Sequence, residues 1–376
     1  MSWEELRELA GFRAEKGRAI SLYVNLDPHV ASAAGDAHTR VNSLLDEAGK
    51  RTSGERADLT HDQRTALKAD FDRIRHYVEL EFERDGAHGL AVFSAGLDNF
   101  WRPVALTAAV PDAVKVTDEF YLTPLVPLVG RGEGAMVAVV GRERGDLYCL
   151  RGGRLEEIAD RSEEQPGRHD QGGWAQARYQ RHIENLVHGH LRRVSEELDR
   201  RLRRTPSAKI VVIASEETRT EFSELLSGPA RAAVVGWAQA EAHAAPSELL
   251  SAAVPVLERW REEREAEAVE RWREEAGRDG RAAAGWAETL EAASDGRIES
   301  LLYHEGAEHP AWRCPACGRL SVDDGTCPLD GTELEFREEG LDLALHQTLA
   351  RGGNVWALTH RRDLDPVEGI GALLRY

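Results

Sequence analysis

The sequence predicts an α/β protein, α+β in parts, organised as three domains. Its 376 residues, 41% of them hydrophobic, exceed what one ordinary core holds. Short β-branched runs alternate with amphipathic helical stretches, the pattern of layered α/β domains. A Gly-rich polar loop runs into a long basic helix that stops near Thr205 and Pro206, a natural break between a second domain and a third.

The first domain is expected over 1–117. Residues 19–26 (AISLYVNL) alternate and are rich in strand formers, polar helical sequence extends from Asp36 to about Glu83, and 89–95 (GLAVFSA) reads as a second strand. The stretch up to about Val116 reads as strand-rich. The second domain, 118–206, is expected to begin a new strand set near Phe120. In it, 136–140 (MVAVV) and 147–150 flank an Arg-Glu-Arg-Gly-Asp turn, 154–158 adds a strand, and the loop and long helix close the domain. The third domain, 207–376, alternates short buried strands at 209–214 (KIVVIA), 232–237, 298–304 and 354–360 with helices, among them the highly charged 257–276 stretch. A cysteine-bearing insert at about 308–336 precedes the last helix and strand.

The net charge of −18 argues against non-specific coating of nucleic acid, and DNA is not an expected partner. The start, MSWEELRELAGFRAEKGR, is charged and amphipathic and lacks the apolar core of a signal peptide. No apolar run approaches the roughly 20 residues of a membrane span. Four cysteines, three of them clustered, suit a metal site in a reducing compartment better than a disulfide framework. The expectation is a soluble, cytoplasmic protein.

The charge sign reverses locally in 165–204. Ile183, Val187, Leu191 (or His190), Val194, Leu198 and Leu202 recur at helical spacing on one face. Arg178, Arg181, Arg192, Arg193, Arg200, Arg201, Arg203 and Arg204 occupy the others. Arginines neutralise phosphates, and the Gly172-Gly173 pair in front of the helix lets backbone approach a ligand closely. A solvated face with intrahelical pairs such as Glu197 with Arg201 is the plainer alternative. His169, His182, His188 and His190 read as core edge and surface.

Cys314-Pro-Ala-Cys317-Gly is a knuckle that aims two thiolates at one metal. Cys327-Pro-Leu-Asp330-Gly repeats the frame with a carboxylate in the fourth place. The cluster predicts a structural Zn site, with His309 as another possible fourth ligand and a metal-free β insert as the alternative. Cys149 reads as a buried core cysteine.

In order along the chain, GGWAQARYQRHIENLVHGHLRRV (172–194), KIVVIASEETRTEF, the helix–strand unit at 277–305 and the terminal VEGIGALLRY resemble the class 1 peptide chain release factors of eukaryotes and archaea. The chain is more closely similar to bacterial relatives of these, including proteins like the Vms/Ankzf peptidyl-tRNA hydrolases. The resemblance implies a release-factor-like three-domain architecture, with a first domain like the decoding domain and a small zinc-ribbon-like insert in the third. Two departures point away from stop-codon reading. Asp36-Ala37-His38-Thr39 stands where the family's decoders carry Asn-Ile-Lys-Ser, and Phe93-Ser94-Ala95-Gly96 occupies the region of the Tyr-x-Cys-x-x-x-Phe motif. Trp174 stands directly after the glycines where release factors have their glutamine, while Gly173-Trp174-Ala175-Gln176 meets the Gly-x-x-Gln form of the Vms-like hydrolases.

The implied reaction is codon-independent hydrolysis of the peptidyl-tRNA ester on stalled ribosomes or split large subunits. Gly172 and Gly173 would give access to the peptidyl transferase region, and Gln176 would position water. A nearby backbone N–H would donate to the developing charge. Trp174, Arg178, Arg181, Arg192 and Arg193 would contact RNA, Trp174 by stacking on a base. A translational GTPase is a possible partner. Read without the resemblance, Gln176 is an ordinary surface residue of a helix and Trp174 packs against its own loop. The competing readings are a non-catalytic hibernation or A-site-occluding factor and, last, a nuclease acting at the tRNA 3′ end.

Overall fold

A computed structural model of the chain describes residues 3–27, 34–53, 59–84, 87–106, 108–129, 134–151, 153–161, 174–206, 208–241, 243–278, 280–359 and 361–376; the side chains of 34–36, 53 and 174–183 are not described. The chain divides into two compact units, one of Met1–Gly130 with Arg264–Tyr376 and one of Arg131–Glu263.

The first unit opens with α1 (Trp3–Ala10), β1 (Ala19–Asn25), α2 (Ala34–Ser53), α3 (His61–His76), β2 (Gly89–Ala95), β3 (Phe100–Leu106) and β4 (Ala113–Thr117). Thr60 starts α3 with a capping box: its hydroxyl accepts from Gln63 N, while its own N–H donates to the Gln63 side chain. The sheet order is β3-β2-β1-β4, with β1 antiparallel to both neighbours. Ile20, Leu22 and Val24 face Val41, Leu45, Phe71 and Ile74 of the two helices. Ala19 and Tyr23 take the opposite face, into a core that also holds Leu6 and Leu9 of α1. Since β1 is buried on both faces, its apolar run is nearly continuous.

The second unit contains β5 (Met136–Val140), β6 (Gly145–Arg151), β7 (Arg154–Asp160), α4 (Trp174–Leu202), β8 (Ile210–Ile213), α5 (Glu216–Leu225), α6 (Gly228–Ala233), β9 (Val234–Ala238) and the start of α7 (Pro246–Ala276). All five strands form one sheet, β7-β6-β5-β8-β9, in which β8 runs parallel to β5 and to β9. Met136, Ala138, Ile210 and Val212 face α4, α5 and α6 through Leu191, Val194, Leu198, Phe222 and Ala230. On the other face Val137, Val211 and Ile213 pack on Leu249, Ala253 and Leu257 of α7. The boundary expected at 206/207 therefore falls inside one sheet. A run such as 209–214 signals burial on both faces but not which sheet it joins, and here it completes a parallel crossover from β5.

No strand starts near Phe120. Residues Thr123–Leu125 form a 3-10 turn with Pro124 in its first positions, and Pro127 comes just after it. A proline lacks the N–H a central strand requires.

The first unit resumes with the end of α7 and β10 (Ala282–Ala284), α8 (Gly285–Asp295), β11 (Ile298–His304), β12 (Ala311–Arg313), β13 (Leu320–Ser321), β14 (Glu335–Arg337), α9 (Gly340–Ala350), β15 (Asn354–Leu358) and β16 (Ile370–Leu374). The larger sheet is β10-β16-β11-β15 and the smaller, β13-β12-β14, belongs to the cysteine insert. Trp286, Leu290, Leu341 and Leu345 from α8 and α9 share one continuous core with α1, Tyr23 and Phe93. On the opposite face Trp272 of α7 donates from its indole N–H to Ala283 O at 3.0 Å. It lies so close to β16 that a Cβ on Gly371 would stand 2.7 Å from that nitrogen.

Candidate functional site

The long helix is present as α4, 29 residues from Trp174, directly behind the diglycine, to Leu202. Gly172 and Gly173 lie outside the described residues, as do the side chains of Trp174, Gln176, Arg178, Arg181 and Ile183 and all of His169; His182 is described only as helical backbone. The expected apolar face is otherwise buried. Leu191, Val194 and Leu198 are fully enclosed, and Val187 and Leu202 nearly so. His190 belongs to this buried face, its Nε2 at 3.2 Å from Arg144 O, whereas His188 lies outside at 3.2 Å from Glu221. Ser195 donates to Leu225 O at 2.9 Å, and Asp199 accepts from Ser227, the residue that caps α6.

The described arginines of α4 and of the residues just after it divide into two groups. Glu197, 2% exposed, accepts from Arg201 Nε at 2.9 Å, from Arg161 Nη2 at 2.8 Å and from Arg200. Burial raises the Glu197 carboxyl, but hydrogen bonds from Arg161 and Arg201 and the charge on Arg200 outweigh it and hold the group below its ordinary value. Arg201 also donates to Ile158 O on β7. These three arginines thus brace the sheet edge and the helix. Arg192, Arg193, Arg203 and Arg204 are exposed, Arg192 lying 3.3 Å from Glu196 one turn on. The Glu197–Arg201 pair was legible from spacing four residues apart. Arg161, from another element, gave no sequence signal.

The cysteine insert brings Cys314, Cys317, Cys327 and Asp330 together, with one ligand atom of each within 4.8 Å of the others. Cys317 Sγ lies 3.5 Å from Cys327 Sγ, and Cys314 Sγ 3.4 Å from Asp330 Oδ2. The two knuckles share a construction. Gly318 N donates to Cys314 O and Gly331 N to Cys327 O, both at a glycine of positive φ (79° and 74°) that a side chain would strain. An N–H from Arg319 favours the Cys317 thiolate, yet burial and the crowding by Cys314, Cys327 and Asp330 push that thiol up to about 12. Hydrogen bonds from Thr332 hold Asp330 well below the carboxylate range. Four groups that ionise to anions share one small space, which is a donor set suited to a divalent cation. His309 stands apart from the cluster: its ring stacks on Trp286 at 5.1 Å and its Nδ1 is 2.6 Å from Pro310 O, whereas Asp330 is the fourth residue grouped with the cysteines.

In the first domain, 36–42 lies within α2, where Arg40 pairs with Asp112 at 2.9 Å, and Gly96 donates to the buried Asp70. Cys149 is buried, in β6. Among the described residues no helix is long and apolar enough to cross a membrane.

Residues 121–258, which include α4 and the diglycine, match the family described as Bacterial archaeo-eukaryotic release factor family 10. The chain is 24% identical over 361 residues to peptide chain release factor subunit 1 of Archaeoglobus fulgidus, covering 89% of this chain and 86% of that protein. It is 23% identical to the Thermococcus onnurineus protein of the same name, covering 84% and 78%. Among solved structures, the archaeal translation termination factor aRF1 is 16% identical and aligns over 100% of this chain and 99% of its own, at a TM-score of 0.27. Dom34 of S. cerevisiae, a translation termination-like factor, is 12% identical over 77% of this chain and 79% of its own, at a TM-score of 0.41. The chain is release-factor-like in sequence.

Proposed function

We propose that this protein hydrolyses the ester of peptidyl-tRNA without reading a codon, on stalled ribosomes or split large subunits. The observation that carries the reading is the Gly172-Gly173-Trp174-Ala175-Gln176 run at the start of α4, inside the segment that matches the release-factor family. The first-turn N–H groups of a helix have no intrahelical partners and stabilise negative charge. A tip at that place can therefore donate to the oxyanion while Gln176 orients water. Gly172 and Gly173 admit the tip. Trp174 stacks on a base, and Arg178, Arg181, Arg192 and Arg193 meet phosphates of the tRNA acceptor end or ribosomal RNA. The Gly-x-x-Gln spacing sets the chain with the Vms/Ankzf-type hydrolases, and a translational GTPase is a candidate delivery partner. Cys314, Cys317, Cys327 and Asp330 hold Zn in a structural role, since a metal closed by four protein ligands has no open position for substrate.

A second reading rests on Trp174, which takes the place next to the glycines that release factors give to glutamine: a factor that occupies the ribosome without chemistry. Release of a labelled nascent chain from purified stalled ribosomes and large-subunit complexes separates the two, with binding of each variant monitored by sedimentation. The expected result is release by the wild type that is lost in Gln176→Ala and Gly173→Ala while binding persists. Tight binding without release supports the occluding factor, and failure to bind either particle refutes both.

A further inference from the structure

Outside α4 and the cysteine insert, a buried histidine–aspartate pair stands in α9, a helix that is mostly buried and mostly apolar. Asp342 and His346 are one turn apart, 7% and 5% exposed. One oxygen of Asp342 accepts three bonds: from Leu122 N at 2.7 Å, from Thr123 N at 2.9 Å and from the Thr123 hydroxyl at 2.9 Å. Its other oxygen lies 3.5 Å from His346 Nε2.

Both nitrogens of His346 face backbone carbonyls. Nδ1 is 3.1 Å from the oxygen of Ala10, the last residue of α1, and Nε2 is 2.5 Å from the oxygen of Phe120. A carbonyl oxygen only accepts, and a neutral imidazole has one N–H and one lone pair. A neutral ring would point its lone pair at one of the two oxygens. Both contacts are satisfied together only when each nitrogen carries a proton, which makes the ring an imidazolium with the Asp342 carboxylate as its counter-charge.

We propose that His346 and Asp342 form a proton-dependent latch, in which a doubly protonated His346 ties the end of α1 and the 120–123 connector to α9. Loss of one proton replaces an attractive contact by a lone pair facing a carbonyl, so one of the two segments is let go. The groups around the pair are consistent with a buried charge centre. Burial raises the Glu119 carboxyl, but Arg313 at 2.9 Å, with His346 and Arg13 beyond it, holds it below its ordinary value. Burial and then the Asp342 charge push the Tyr23 and Tyr121 hydroxyls up. Lys115 on β4 is held by Glu339. Burial raises the Asp342 carboxyl above its ordinary value, and the His346 charge and the three donors offset only part of that rise. Asp342, though not His346, also lines a cavity of about 160 Å³ with Lys115, Tyr121, Thr123, Glu308 and His309.

The test is nitrogen NMR of the full chain labelled in histidine, with the His346 signals assigned by their absence in His346→Gln. At about pH 7.5, where a free imidazole is mostly neutral, the wild type is expected to show two protonated ring nitrogens. Asp342→Asn preserves shape and an acceptor for Leu122 and Thr123 but removes the counter-charge. It is expected to turn the ring neutral and to speed hydrogen exchange roughly tenfold at the amides closing α1 and at 120–123, the factor that answers to about 1.4 kcal/mol. A neutral ring in the wild type overturns the latch. So does an Asp342→Asn protein with a doubly protonated ring and unchanged exchange. The wild-type spectrum decides even where the variant folds poorly.

Discussion

Glu197→Ala removes the single carboxylate that holds three guanidinium groups on α4 and the adjoining sheet edge. A buried hydrogen bond to a charged group contributes about 1.5–3 kcal/mol, but that figure does not apply evenly here. Arg200 is 49% exposed, so its share is closer to the ~0.5 kcal/mol of a surface pair, and the solvent-screened Arg161 is not counted. Arg201, at 28%, contributes about 1 kcal/mol. The expected loss is about 1.5 kcal/mol. For a unit the size of Arg131–Glu263 this lowers the melting temperature by roughly 6 °C in calorimetry near neutral pH. The pH dependence has a definite sign. The Glu197 carboxyl is held below its unfolded value, so its contribution is complete above about pH 5 and is lost as pH falls through the folded value. The gap between wild type and variant should therefore narrow steadily as the pH is lowered into the acid range. Equal melting temperatures at neutral pH, or a gap that persists undiminished in acid, would refute the reasoning.

Two further predictions concern the other unit. A Cβ on Gly340, at the start of α9, would stand 2.4 Å from His309 O and 3.0 Å from Ala311 Cβ. Gly340→Ala should accordingly cost about 1–3 kcal/mol by overpacking, read as an earlier denaturant midpoint, and a midpoint equal to wild type would show that the contact relaxes freely. The chain should carry about one Zn, lost in Cys327→Ser and retained in His309→Ala, as measured by elemental analysis of the purified proteins. Zinc retained by Cys327→Ser would move the metal elsewhere.

What was legible in the sequence was local. The runs at 89–95, 136–140 and 298–304 coincide with β2, β5 and β11, because a strand buried on both faces leaves a mostly apolar run with few polar breaks. The apolar face of α4 came from its period, and the two cysteine knuckles from their spacing. Pairing between distant segments was not legible: nothing in 209–214 names β5 as its neighbour. The apolar stretch after Phe120 imitated a strand despite Pro124 and Pro127, since hydropathy outweighed the missing N–H groups. The strand expected at 232–237 instead begins after a short helix, α6, opened by the Ser227 cap and Pro229.

The two charged centres share this division between local and distant information. Glu197 with Arg201, and Asp342 with His346, are pairs one helical turn apart and can be found by counting. What gives each pair its role arrives from another element: Arg161 in one case, the carbonyls of Ala10 and Phe120 in the other. For α4 this changes the reading of the basic face. Arg200 and Arg201 both donate to the one Glu197 carboxylate, which fixes their guanidinium groups in place, and Arg192 lies beside Glu196. Under the proposed function the exposed Arg203 and Arg204, just beyond the end of the helix, are therefore better placed to meet phosphates than Arg201, whose guanidinium is tied to Glu197 and Ile158 O. Substituting Arg201 should lower stability more than RNA affinity, because its guanidinium is held by Glu197 and Ile158 O and cannot turn to a phosphate without breaking those bonds. Melting temperature and the salt dependence of ribosome binding, measured on the same variant, check this, and an affinity loss at unchanged stability would return Arg201 to the RNA-facing surface.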